Sequence, residues 1–109
     1  MKVLFTQKVR EYTSHLIRIL YEKEYFGFEE AAKKYVDSLI IDIETNLPSM
    51  QHKNAPKYFD KYGKEMFYAN FRKNKQTTWY AFFSKYKENG ETIYLVRYIA
   101  NNHTVAQYL

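Results

Sequence analysis

The apolar residues of this chain change their period halfway along, and that change restricts the fold more than any other feature. From Gln7 onward, Val9, Tyr12, Leu16, Ile19 and Leu20 recur at steps of three and four. Such spacing predicts an amphipathic helix over residues 7–25. Phe26-Gly27-Phe28 interrupts it. Glu29 and Glu30 then stand where the positive end of a helix dipole favours carboxylates. Phe28, Ala32, Tyr35, Val36, Leu39, Ile40, Ile43 and Leu47 form a second apolar stripe, which Pro48 ends. Two such helices with a short break between them make an antiparallel hairpin.

Residues 48–64 form a polar connector that carries both prolines and four lysines against one acid, Asp60. Beyond it the pattern becomes that of strands. Glu65–Lys73 and Thr77–Tyr86 are aromatic runs, the second containing Trp79-Tyr80-Ala81-Phe82-Phe83, and Thr92–Ala100 is β-branched and aromatic. Asn74-Lys75-Gln76 links the first two tightly. Asn89-Gly90 marks a hairpin between the second and third, because both residues accept the positive φ such turns require. Lys2–Thr6, rich in Val, Leu and Phe, reads as a first strand. The expected architecture is α+β, a single domain over residues 1–109. An N-terminal strand and a helical hairpin pack on a mainly antiparallel four-stranded sheet. The helices cover only one face, so the large apolar residues on the other require loops, the C-terminal tail or another protein.

Composition narrows the chemistry. Zero cysteines in 109 residues exclude a disulfide framework, a cysteine nucleophile and a Cys-based zinc site. Met1-Lys2-Val3-Leu4-Phe5 is too short an apolar run for a secretory segment or a membrane span, which gives the expectation of a cytoplasmic protein that does not engage a membrane. Residues 1–50 hold seven Lys/Arg and eight Asp/Glu, whereas residues 51–109 hold ten and four. The positive excess therefore belongs to the connector and the strands. It suits an anionic partner, or simply solvates an aromatic-rich sheet.

There is no Gly-rich phosphate loop, no metal-ligand spacing and no locally supported Ser-His-Asp set, so neither cofactor nor metal is expected. Three histidines remain. His15 falls within the first helix and His52 in the connector, while His103 follows the last strand in Asn101-Asn102-His103-Thr104. Arg97, Ile99, Asn101 and His103 share parity, so an extended backbone would point Arg97 and His103 to one side. A histidine that titrates near neutral pH could exchange protons there while the guanidinium stabilises a charged phosphorane. The same histidine could equally order a C-terminal turn. Arg72, Lys73 and Lys75 end a strand and enter its turn, where they can contact phosphate or discourage edge-to-edge association. Tyr58, Tyr62, Tyr68 and Tyr80 interleave with the lysines as candidate base stackers or as sheet packing.

The order strand–helix–helix–three strands resembles the RelE/ParE superfamily of toxins from bacterial type II toxin–antitoxin systems. Three stretches carry the likeness: Thr78-Trp79-Tyr80-Ala81-Phe82-Phe83, Tyr94-Leu95-Val96-Arg97-Tyr98-Ile99-Ala100-Asn101-Asn102-His103 and Ala106-Gln107-Tyr108-Leu109. The resemblance implies a toxin held by a cognate antitoxin protein. It also implies one of two targets: mRNA on the ribosome, cut by a metal-independent endoribonuclease, or DNA gyrase, inhibited without catalysis. An inactive interaction domain is a third outcome. In the nuclease case His103, Arg97 and Arg72 form the catalytic set, and Lys73, Lys75, Tyr68 and Tyr108 contact RNA. The two lysines and the arginine of the best-known RelE enzymes are replaced here by Tyr68, Asn70 and Thr78.

Overall fold

The computed structural model describes residues 1–23 and 26–109. Strand β1 (Lys2–Phe5) leads into helices α1 (Gln7–Glu22) and α2 (Glu29–Asn46). A two-residue strand β2 (Lys53–Asn54) follows, then β3 (Phe67–Arg72), β4 (Thr78–Glu88), β5 (Glu91–Asn101) and a short helix α3 (Asn102–Val105). The fold is α+β, as the periodicity requires. The sheet has five strands rather than four, in the order β1-β5-β4-β3-β2. The extra strand lies in the connector, where Lys53 and Asn54 pair with Tyr68 and Phe67. Two residues are too few to leave a period in the sequence.

Local chemistry sets the boundaries. Thr6 caps α1, its Oγ1 accepting a hydrogen bond from the Val9 amide at 3.3 Å. The expected continuation of that helix to Tyr25 runs onto Glu24 and Tyr25, outside the described residues. Asn89 and Gly90 both take positive φ, 53° and 79°, and close the β4–β5 hairpin with Glu88 opposite Glu91. In the β3–β4 link, Asn74 Oδ1 accepts from the amides of Gln76 and Thr77 at 2.8 and 2.9 Å, so the side chain holds the turn.

β1 runs parallel to β5, pairing Lys2 with Ile93 and Phe5 with Val96, while every other ladder is antiparallel. The helical hairpin lies on one face. Val36, Leu39 and Ile43 of α2 are fully buried there with Ala69, Phe71, Trp79, Ala81, Phe83 and Val96. On the opposite face the connector folds back as a 3-10 turn (Lys57–Lys61). It drives Phe59 against Phe82, ring centroids 4.3 Å apart, with Met66, Tyr68, Ala100 and Val105 around them. The chain's own connector and tail thus cover the aromatic residues that the helices cannot reach.

One irregularity redirects the last strand. The β4–β5 register passes from Phe82↔Tyr98 to Phe83↔Val96, leaving Arg97 as an extra residue in a β-bulge. Val96 and Ile99 both pack on the helical side, so Arg97 and Tyr98 both turn to the connector side.

Candidate nucleic-acid interface

Apart from Arg97, the cationic residues named from the sequence lie near one end of the sheet, around the β3–β4 turn and the start of α3, and a single asparagine joins the two. Asn102, first residue of α3, accepts a hydrogen bond from the Thr78 amide through Oδ1 at 3.0 Å. Its Nδ2 donates to the Gln76 carbonyl at 3.1 Å. Both partners belong to the β3–β4 turn region, so the helix that carries His103 is fastened beside the turn that carries Arg72, Lys73 and Lys75. Asn101 caps α3, accepting from the Thr104 amide at 3.2 Å, and this turns the chain away from the strand direction before His103.

The expectation that Arg97 and His103 share a side is therefore overturned twice. The bulge sends Arg97 to the connector face, where its Nε donates to Ser84 Oγ at 2.8 Å. The cap places His103 in a helix, exposed at the rim of a cleft of about 510 Å³ on the other side. Tyr12, Leu16, Tyr35 and Trp79 line that cleft, with Lys23 and His103 as its basic groups among the described residues. Trp79 Nε1 donates to the Tyr35 hydroxyl at 2.9 Å and ties the cleft floor to α2. Burial pushes the Tyr12 phenol above its ordinary pKa.

The other residues divide similarly. Arg72 is exposed and donates through Nε to the Asn74 carbonyl at 3.1 Å, and Lys75 is exposed on the turn. Lys73 faces α2 instead, its Nζ 3.5 Å from Ser38 Oγ and 4.0 Å from an Asp42 oxygen. Tyr68 is buried between Phe82 and Tyr80, which removes it as a platform for an incoming base. Tyr108 lies parallel to Tyr58, centroids 3.6 Å apart, with Lys61 Nζ 4.0 Å above the Tyr58 ring. The Lys61 ammonium, then the Tyr108 hydroxyl, lowers the Tyr58 pKa.

The same end of the sheet holds Asn70, to which spacing gave no role, and Tyr80, one of the expected base stackers. Asn70 and Tyr80 are registered partners on the helix-free face beside Arg72 and Thr78, Asn70 exposed and Tyr80 half-buried. Their signal was alternation: with Phe71 and Trp79 buried on the helical side, Asn70, Arg72, Thr78 and Tyr80 must face the other. His52 is accounted for structurally, its Nε2 lying 2.9 Å from the Leu47 carbonyl and its ring against Phe83. Arg72, Asn70 and Tyr80 thus lie on the helix-free face, Lys75 on the exposed turn, and His103 at the rim of the helix-side cleft. The guanidinium, with the amide and phenol on its face, can hold a phosphate, and the imidazole at the cleft can exchange a proton.

No family model, no curated protein and no solved structure matches the chain. Among the described residues, no helix is long and apolar enough to cross a membrane.

Proposed function

We propose that this chain is the toxin component of a bacterial type II toxin–antitoxin pair, a metal-independent endoribonuclease acting on mRNA at the ribosome in the cytoplasm. The observation that supports it most is the Asn102 tie, which fastens the helix carrying His103 to the β3–β4 turn region that carries Lys75 and follows Arg72. In the reaction the ribose 2′-oxygen attacks its neighbouring phosphorus and the bond to the 5′-oxygen breaks. This leaves a cyclic phosphate on one fragment and a 5′-hydroxyl on the other. His103 takes the 2′-hydroxyl proton as general base or, protonated, supplies one to the leaving oxygen. Arg72 and Lys75 balance the charge that grows on the phosphorane. Tyr80 takes the stacking role expected of Tyr68, because it is the ring nearer the open surface.

A second reading, inhibition of DNA gyrase without catalysis, draws on the separation of Arg97 from His103, which thins the catalytic set. The two readings part under induction in bacteria. The nuclease reading expects new mRNA 5′ ends with the wild-type chain, and their loss with His103→Ala while antitoxin binding persists. An equally toxic His103→Ala chain with unchanged mRNA ends refutes it, and lost supercoiling by purified gyrase would establish the alternative.

A further inference from the structure

Arg97, displaced from the His103 neighbourhood, is held too firmly on the connector face to be a solvated surface cation. Three separate elements fix its side chain. The β-bulge gives it an unpaired position on β5 and turns it onto the connector face. Ser84, on β4, accepts its Nε–H at 2.8 Å and so sets the plane of the guanidinium. Gly63, in the connector, passes so close that a Cβ there would meet Arg97 Cδ at 2.7 Å and Nε at 3.3 Å. The absence of a side chain at Gly63 is thus the condition for the arginine to occupy its place.

The charge so positioned has no countercharge among the described residues. The ion pairs among the described residues join Met1 to Glu91, Lys33 to Asp37 and Lys73 to Asp42, and none engages Arg97. Arg97 is half-buried as a residue, and no carboxylate among the described residues offsets its charge. Its Nε is committed to Ser84, and no side-chain hydrogen bond or ion pair among the described residues engages its terminal nitrogens. Ser84 accepts from Nε, so its own hydroxyl proton can donate to the same neighbour. A planar fork with a hydroxyl donor beside it matches a tetrahedral oxyanion, which offers more acceptor oxygens than a carboxylate.

We infer that Arg97, Ser84 and Gly63 form a phosphate-binding site on the connector face, separate from the His103 end of the sheet. The inference is independent of the nuclease reading, because the site is tested on the isolated protein without mRNA or ribosomes. The probe is inorganic phosphate, followed by a single-stranded uridine hexanucleotide, titrated against the ¹⁵Nε signal of Arg97. Acetate at matched ionic strength serves as the carboxylate comparison.

A saturable shift with phosphate that acetate does not reproduce supports the site. An additional shift with the oligonucleotide identifies a backbone phosphodiester as its source, and phosphate alone identifies a free phosphate or phosphomonoester. Arg97→Lys, which keeps the charge but loses the fork, should weaken phosphate binding about tenfold, the equivalent of one charge-assisted hydrogen bond. Ser84→Ala should weaken it in the same direction with the fold retained. An Arg97 Nε signal unmoved by phosphate, or moved equally by acetate, overturns the proposal, and this wild-type measurement stands even if a variant fails to fold.

Discussion

The connector is an integral layer of this fold, and Phe59 is where that statement can be measured. Its side chain is fully buried, with ring centroids 4.3 Å from Phe82, 5.0 Å from Tyr58 and 6.4 Å from Tyr98. Phe59→Ala removes the anchor of the Lys57–Lys61 turn and opens a cavity over the sheet. Fully buried phenylalanines truncated to alanine cost about 3–5 kcal/mol, the transfer and cavity terms together. A domain of this size loses roughly 1.5 kcal/mol of stability per molar urea. A loss of about 4 kcal/mol therefore lowers the urea midpoint by roughly 2.5 M, a large part of the ~5–15 kcal/mol such domains possess. Trp79, the chain's single tryptophan and only 1% exposed, provides the fluorescence signal. Phe28→Ala is the control: that ring is 76% exposed and its loss should stay within about 0.5 kcal/mol. Should Phe59→Ala shift the midpoint by less than roughly 0.7 M, about 1 kcal/mol, the connector is not packed on the sheet and the two-faced core described above is wrong.

Three further outcomes are open to measurement. Gly90→Ala meets no atom within 4 Å, so its cost is purely conformational at φ 79°, about 1–2 kcal/mol by urea denaturation. Asn102→Ala breaks the bonds to Thr78 and Gln76 and should cost about 1–3 kcal/mol, with faster amide exchange at Thr78 as the local signature. Burial first, and then the Tyr62 hydroxyl, raises the Tyr98 pKa in the folded chain. The unfolded phenol ionises near pH 10 while the folded one stays neutral, so stability is full below about pH 10 and falls as pH rises toward the folded value. Tyr98→Phe should flatten that alkaline loss in urea midpoints measured from pH 9 to 11.5, and an unchanged slope would contradict the assignment.

The parts of the fold visible in the sequence are those with a period or a dedicated turn residue. Both helices, the three long strands and the Asn89-Gly90 hairpin meet that condition. The need for a second covering layer was also legible, from the aromatic density of residues 77–86 and 92–100. What escaped depends on relations between distant residues. The bulge at Arg97 arises from how β5 registers against Phe82 and Phe83, and neither strand alone encodes it. Lys73 turns toward Asp42 because α2 lies above its strand, a neighbour 31 positions away. Parity was carried too far in the case of His103. Asn101 followed three residues later by Thr104 is a helix-capping arrangement, and it ends the alternation before the histidine.

The parallel ladder between β1 and β5 has a consequence for how the chain is made. Lys2 and Ile93 are partners 91 positions apart, and β5 lies between β1 and β4. While a ribosome is still synthesising the chain, the helical hairpin can form but has no completed sheet on which to bury Val36, Leu39 and Ile43. The β3–β4 hairpin can cover part of that stripe, but its burial is complete only once β5 has emerged and been captured from both sides. Closing so long a loop slows refolding relative to a helical bundle of equal length. The nascent chain is therefore most vulnerable to aggregation and proteolysis in the interval before its last strand arrives.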